Sequence, residues 1–288
     1  MHVWTPGHQL VTTVVCCLLM LIVYTKPSLA ATSESSHPQR SVTHDGDILR
    51  PYLGHHGPVH RRLRDTQECQ HVRYGNTTYS LHPAHKNQST VTHLADVRHK
   101  IVVIGTPYYD QRVVTLRFQR VYNPRSTFSV MEPEHPGSCG EEKDVRASVQ
   151  ETAATRDCVV ATNAGFFDTH TGACLGNIVC DGKLVQDSGG IQNVHFGITK
   201  DGNLFTGYLS EIELVTLSFQ QLVGGVIWLV RDGDVYVDES RDIECPDTQE
   251  TGPLDTFINV MSARTAVGHD SEGRVLMAQL NGKTNLNG

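Results

Sequence analysis

The stretch VVATNAGFFDTHTGACLGN, residues 159–177, decides how this chain is interpreted. The apolar run 158–162 predicts a buried strand. That strand ends on Asn163, Gly165 and two phenylalanines, and a short loop with glycine and cysteine follows. In one interpretation Asn163 caps a turn and the phenylalanines are core residues. In the other, the strand end delivers Asn163 to a pocket, and Gly165 lets a ligand approach the backbone.

Short strands and tight turns recur on both sides of this stretch. β-Branched or aromatic runs predict strands at 101–105, 113–118, 158–162 and 226–230. Glycine-containing turns at 180–183, 200–203, 231–234 and 269–273 predict hairpins. The clearest helix pattern covers 144–156. The sequence therefore predicts a β-rich α+β fold with antiparallel or mixed sheets, hairpins and few helices.

The first 64 residues do not look like part of that fold. Residues 1–30 contain an apolar run of 15 residues, 10–24, followed by small residues ending at Ala30, which predicts a secretory signal peptide. Residues 31–64 are polar and end in a basic cluster in which Arg61 and Arg64 have the spacing of a proprotein-convertase site. We interpret 31–64 as a propeptide and 65–288 as the folded domain, the alternative being an unprocessed linker. No later segment is apolar enough to predict a membrane span.

Cysteines and glycosylation sequons agree with a secreted chain. The cysteines beyond the signal are Cys69, Cys139, Cys158, Cys174, Cys180 and Cys245. An even number in an oxidising compartment predicts disulfides, and the sequence does not choose among the pairings. Metal ligation is the alternative, but no metal-binding spacing occurs, so no metal and no cofactor is expected. Asn76 and Asn87 begin sequons and are predicted glycan sites.

The charge of the predicted domain excludes some partners. From residue 65 onward there are 18 Lys and Arg against 28 Asp and Glu, a net charge of −10. Nucleic acid and anionic membrane are therefore not expected partners. The run 238–250 holds six acids, and we interpret most of them as a solvated loop. Arg264, by contrast, interrupts an apolar strand, so it needs either an acidic partner or a bound phosphate.

These stretches resemble the catalytic domain of the phosphodiester glycosidases. Residues 163–167 match the family pattern Asn-Gly-Gly-Phe/Tyr-Phe, with Ala164 at its second position. The resemblance runs over about 65–283 and includes the stretches CLGNIV, DSGGIQN, FGITKDGNLFTGYLSE, GVIWLVRDGDVYV, TQETG and SARTAVGHD. It implies a glycosidase that removes N-acetylglucosamine from the covered phosphodiester on lysosomal-enzyme glycans, which exposes mannose 6-phosphate. Phosphorylated high-mannose glycans and a proprotein convertase are the implied partners, and the Golgi or trans-Golgi network is the implied location.

The resemblance also implies roles for particular residues. Arg264 is expected to bind the phosphodiester charge, while Asn163 and the backbone at Gly165 orient the sugar or phosphate. Glu250 is the candidate carboxylate for the glycosyl centre. The expected substrate-binding positions are Gly189, Gly190, Asn177 and Ser262. Gly189 and Gly190 can be a plain hairpin turn instead.

The family has a further signature, Asn-Leu-Asp-Gly-Gly-Gly-Ser, that this sequence does not contain. We therefore expect the sequence to be incomplete at its C-terminus. The alternatives are a secreted, noncatalytic protein that binds glycan or phosphate in the same pocket, and an inactive truncated product. Whether the protein forms a homo-oligomer is left open by the sequence.

Overall fold

The computed structural model describes residues 14–16, 69–86, 95–106, 109–139, 145–168, 171–246, 254–259 and 263–281. The strands are β1 (Val14–Cys16), β2 (Tyr79–Pro83), β3 (Ala95–Thr106), β4 (Tyr109–Val121), β5 (Ser129–Val130), β6 (Thr162–Asn163), β7 (Ile178–Cys180), β8 (Lys183–Gln186), β9 (His195–Thr199), β10 (Asn203–Gly207), β11 (Phe219–Gly224), β12 (Val230–Arg231), β13 (Asp234–Val235), β14 (Arg264–His269) and β15 (Val275–Leu280). The helices are α1 (Pro124–Thr127), α2 (Val149–Ala154), α3 (Glu211–Thr216), α4 (Val237–Ile243) and α5 (Leu254–Asn259).

The strands form four sheets. The largest has six strands in the order β2-β10-β9-β11-β7-β8, and a second has the order β14-β15-β4-β3. Smaller sheets have the orders β5-β1-β6 and β12-β13. The strand pairs of the described residues are antiparallel. The predicted β-rich α+β class is therefore confirmed.

The four predicted hairpins are also confirmed, because the strands on either side of each turn pair with each other, and in two of them the turn residues have left-handed backbone angles. Asp181 and Gly182 have φ of 49° and 81°, and Asp232 and Gly233 have φ of 53° and 89°. Two consecutive positive φ values are the hallmark of the two-residue turn whose twist matches antiparallel strands. These turns set the registers of β7 with β8 and of β12 with β13.

The core lies on both faces of the six-stranded sheet. Leu204 packs in the main cluster with Phe196, and that cluster also includes Val267 and Met277 of the second sheet. Its neighbour Phe205 packs in a second cluster, with Leu214 of α3. Successive residues of a strand point to opposite faces, so β10 is covered on both sides. Each fully buried Leu or Phe contributes about 1.5–3 kcal/mol, so this sheet is the stable base for the loops at its edges.

Two predicted strands are shorter than expected. Within 158–162 only Thr162 is in a strand, and Val159 is exposed. Within 226–230 only Val230 is in a strand, although the run is mostly buried. Ile227 has a φ of 70°, which a strand does not permit. Apolar composition thus located a buried segment correctly but assigned it the wrong backbone geometry.

The predicted helix over 144–156 is present over its central part as α2. It begins after Ser148, whose side chain accepts from the Glu151 backbone N–H while the Glu151 carboxylate accepts from Ser148. This capping box satisfies two backbone donors and fixes where the helix begins. The capping box therefore fixes the first residue of α2, which the apolar periodicity alone did not predict.

Disulfides connect distant parts of the fold. Cys69 pairs with Cys245 across 176 residues, and Cys139 pairs with Cys174 across 35. If a disulfide acts by reducing the entropy of the unfolded chain, the Cys69–Cys245 bond, which closes the longer loop, stabilises the folded state by about 5 kcal/mol. Cys158 is also disulfide-bonded.

The prediction that Cys180 forms a disulfide is wrong, because its thiol is free. It lies at the corner of the β7–β8 hairpin, where it pairs with Lys183 in the strand register. Burial, together with the nearby carboxylates Glu132 and Asp181, raises the pKa of the thiol to about 12. The thiol is therefore protonated and unreactive at physiological pH.

Candidate active site

Two of the sequence motifs meet where β6 ends beside β14. The Thr265 hydroxyl donates to Asn163 Oδ1 at 2.8 Å, and the Thr162 hydroxyl donates to the same oxygen at 3.1 Å. Thr265 and Asn163 are 102 residues apart in the chain. Since both hydroxyls occupy the oxygen, the amide nitrogen Nδ2 is the end of Asn163 that remains to donate to a ligand.

Arg264 is the first residue of β14 and adjoins this contact. One guanidinium nitrogen donates to the carbonyl of Phe257 at 2.7 Å, and another donates to the carbonyl of Ala263 at 3.1 Å. The guanidinium carbon lies 4.9 Å from the centre of the Phe257 ring. The side chain is thus held at the surface by carbonyl oxygens and an aromatic face, in a half-buried position suited to an anion.

The phenylalanines of the opening stretch have separate roles. The ring of Phe166 meets Phe257 edge to face with centroids 5.5 Å apart, so it supports the ring on which Arg264 lies. Phe167 forms a β-bridge with Cys174, and the Cys139–Cys174 disulfide ties the returning strand of this loop to the rest of the fold. Described contacts on both sides of the loop that follows Asn163 therefore tie it to the rest of the fold.

Packing favours glycine at position 165. A Cβ atom at this position would lie 3.0 Å from the carbonyl oxygen of Gly224 in β11. Gly176, with a φ of +83°, approaches the same strand, since a Cβ there would lie 3.5 Å from Gly224 Cα. The absence of side chains lets the Asn163 loop lie directly on β11. A substrate contact with the Gly165 backbone stays a prediction.

Asn177, Gly189 and Gly190 build a neighbouring loop. Buried Asn177 accepts the Ser188 backbone N–H at 2.7 Å, and the Gly189 N–H donates to Asp187 at 2.8 Å. At Gly190, with a φ of +77°, a Cβ would lie 2.3 Å from the Val72 carbonyl oxygen. These contacts fold the loop onto the segment that Cys69 anchors to Cys245. Substrate binding by the three residues stays a prediction.

Several predicted residues lie outside the described part of the chain. They are Glu250, Ser262, Arg61, Arg64 and Asn87. Asn76 is described and its side chain is exposed, as a glycan acceptor must be. Residues 14–16, within the predicted signal peptide, pair through β1 with β5 and β6, and Val14 is opposite Asn163 in the register.

Sequence reasoning missed Glu244, a carboxylate with many hydrogen bonds, because it lies in an acid-rich run interpreted as solvated. Glu244 is buried and accepts from both side chains and backbone. Its donors are Asn193 Nδ2, Val194 N, Ile227 N, the Tyr208 hydroxyl and the Ser240 hydroxyl. Burial raises the pKa of Glu244 to about 7, although its hydrogen bonds act in the opposite direction. The apolar flank Ile243 and the neighbouring Cys245 were the available signals in the sequence.

Within the described ranges, no group of three or more His, Cys, Asp or Glu side chains is arranged to hold a metal ion. Nor does any helix there have both the length and the apolar character needed to cross a bilayer. Burial lowers the pKa of His195, next to Gly224, to about 4. His195 is therefore neutral at the pH of the secretory pathway.

Comparison with known proteins places these features in a family. Residues 156–288 match the family described as phosphodiester glycosidase. Over 249 residues the chain is 44% identical to the Mus musculus protein named N-acetylglucosamine-1-phosphodiester alpha-N-acetylglucosaminidase and 42% identical to the Homo sapiens protein of that name. Each alignment covers 86% of this chain and 46% of the relative, so the chain spans about half the length of the curated relatives it matches.

A solved structure agrees. The zebrafish N-acetylglucosamine-1-phosphodiester alpha-N-acetylglucosaminidase catalytic domain, described as auto-inhibited by its pro-peptide, superposes with a TM-score of 0.67. It is 45% identical in sequence, and the match covers 73% of this chain and 68% of that one. The match in sequence and the match in fold lead to the same conclusion: the chain belongs to the phosphodiester glycosidase family.

Proposed function

We propose that this chain contains part of the catalytic domain of an enzyme that hydrolyses the N-acetylglucosamine α-1-phosphodiester on lysosomal-enzyme glycans. The product is exposed mannose 6-phosphate, and the substrates are phosphorylated high-mannose glycans. The mouse and human relatives carry the name of this activity. The observation that carries the proposal is the contact between Thr265 and Asn163 beside Arg264, because it unites the two family motifs with a half-buried cation.

The chemistry suits these residues. Hydrolysis breaks the bond between the sugar anomeric carbon and the phosphate oxygen; water supplies the new hydroxyl, and a phosphate monoester leaves. Because that leaving group is already a stable anion, holding its charge matters more than protonating it. Arg264 provides the charge and a fork of donors, and Nδ2 of Asn163 donates to the sugar or the phosphate. We assign Glu250 to the developing positive charge at the anomeric carbon.

Processing is a second part of the proposal. Removal of residues 1–30 by signal peptidase and of 31–64 by a proprotein convertase after Arg64 would produce the mature domain, in the Golgi or trans-Golgi network. The described auto-inhibition of the zebrafish relative by its pro-peptide supports a regulatory role for this region.

The test is release of N-acetylglucosamine from N-acetylglucosamine α-1-phospho-6-mannoside by protein expressed from the complete reading frame. We expect turnover, its loss in Arg264→Ala, and an increase after cleavage at Arg64. Saturable binding of mannose 6-phosphate without turnover would contradict catalysis and support a noncatalytic binding protein. The names of the relatives do not favour that alternative.

A further inference from the structure

A small pocket lies away from the candidate active site, where β2, β10, β12 and β14 approach one another. Its lining includes His82, Thr206, Trp228, Arg231, Asp232 and His269. His269 is the last residue of β14 and Arg264 is the first. At about 3.3 Å per residue, the two ends of this strand are roughly 17 Å apart. The pocket is therefore distinct from the candidate active site.

Two polar groups in the pocket have no hydrogen-bond partner. Thr206 is buried, and its hydroxyl has none. Arg231 Nε is likewise buried and without a hydrogen bond, although the side chain is 32% exposed and Nε forms an ion pair with Asp232 at 3.8 Å. A buried hydroxyl and a buried guanidinium nitrogen without hydrogen bonds are costly, so a ligand that accepts from both would stabilise the site.

Arg231 is also oriented in advance. Its guanidinium carbon lies 5.2 Å from the centre of the Trp228 ring and 5.4 Å from that of Tyr236. Such stacking holds the planar group in one orientation, which lowers the entropy lost when it binds a ligand. An arginine fixed in this way matches the paired oxygens of a phosphate group.

Two histidines complete the wall. The rings of His82 and His269 lie 4.7 Å apart. Each Nδ1 lies within hydrogen-bonding distance of a backbone carbonyl, that of Pro83 at 2.9 Å and that of Asp270 at 3.0 Å. Because a carbonyl only accepts, each Nδ1 carries the hydrogen. Burial lowers the pKa of His269 to about 4, so its ring is neutral at neutral pH and forms a polar but uncharged part of the pocket wall.

The size of the pocket limits its ligand. The cavity measures about 70 Å³, against roughly 150 Å³ for a cavity that binds benzene. A cavity of this volume has room for a tetrahedral oxyanion, whereas a sugar attached to that anion would have to remain outside the cavity. We propose that this pocket is a second ligand site, specific for a phosphate group, either inorganic phosphate or the phosphate of a monoester. Asp232 opposes an anion, but its side chain is 76% exposed and can turn toward solvent.

The experiment is titration of the full chain with inorganic phosphate, followed by calorimetry and phosphorus NMR. We expect Arg231→Gln to weaken binding roughly tenfold or more and Thr206→Val to weaken it about threefold. Asp232→Asn removes the opposing charge and should tighten binding about threefold. Arg231→Lys, which keeps the charge but not the fork, should be intermediate.

Arg264→Ala is the matched control, because it disables the candidate active site and should leave this binding unchanged. Thr206→Val keeps the shape of a buried side chain, so weaker binding without a lower melting temperature supports a ligand contact. In the Arg264→Ala background, competition by mannose 6-phosphate would show that a monoester is admitted, and binding of inorganic phosphate alone would show that it is not. Binding that Arg264→Ala abolishes but Arg231→Gln leaves intact would overturn the proposal, as would no phosphate binding at all.

Discussion

The candidate active site and the Glu244 cluster each place a polar side chain at the end of a regular element, but their surroundings differ. Asn163 ends β6 in a half-buried position, and the described contacts of its side chain use only the amide oxygen. Glu244 follows α4, is buried, and accepts from five donors. The difference teaches that a saturated, buried polar group holds a fold together, whereas a partly satisfied group at the surface is available to a ligand.

The largest effect should come from Glu244→Ala, which leaves several buried donors without an acceptor. We expect a loss of about 3 kcal/mol or more in unfolding free energy, which lowers the melting temperature by roughly 10 °C. Thermal unfolding followed by circular dichroism measures this. Glu239→Ala, which removes an exposed acid of the preceding helix α4, is the control and should change little. Equal effects of the two variants would contradict a structural role for Glu244.

The opposite pattern is expected for Arg264→Ala. Loss of the phosphate-binding group should reduce kcat/KM by about 10²–10³-fold, as for removal of one donor to a developing charge. The melting temperature should remain nearly unchanged, because the guanidinium contacts are at least partly exposed. Arg264→Lys should recover only part of the activity, since it restores the charge without the fork. If the alanine variant is unfolded at the assay temperature, Arg264 has a structural role like that of Glu244, and the contrast between the two sites is contradicted.

The dependence of stability on pH sharpens the comparison. The pKa of Glu244 is raised from 4.5 to about 7, so the folded state binds its proton more tightly than the unfolded state. The resulting stabilisation is fully present below pH 4.5 and is lost as the pH rises to about 7. Glu244→Gln removes this titration while keeping most contacts.

We therefore expect the stability of the native protein, relative to Glu244→Gln, to fall by roughly 1–3 kcal/mol between pH 5 and pH 7.5. Urea unfolding at the two values measures it. Groups shared by both proteins, including the buried histidines, cancel in the difference. A difference that does not change with pH would mean that Glu244 does not titrate in this range.

The smallest effect is expected from Thr265→Val, which removes one of the hydroxyls that orient Asn163. We expect about a fivefold decrease in kcat at an almost unchanged melting temperature, from a loss of about 1 kcal/mol of hydrogen bonding. Thr265→Ser keeps the hydroxyl and should restore the rate. If the serine variant is as slow as the valine variant, Thr265 acts through packing and not through the amide.

How far the sequence could predict this molecule depended on whether a feature is local. Three of the four hairpins followed from Asp-Gly pairs and the fourth from a glycine-containing turn, since a tolerance of positive φ is a property of the residues themselves. The buried run 226–230 was located by its composition, but its geometry depends on the distant acceptors Glu244 and Ser240. The Cys180 disulfide was predicted from an even count, and the count carries no spatial information.

The candidate active site divides in the same way. The sequence by itself determined the strand-rich class, the Asn163 motif and the position of Arg264 within an apolar strand, because each depends on residue type and short spacing. Only the tertiary structure decided that Thr265 reaches Asn163 across 102 residues and that Gly165 packs against β11. It also decided that one acid of a polar run is buried among five donors. The physical reason is that burial and hydrogen-bond partners are set by contacts between distant segments, which no local pattern encodes.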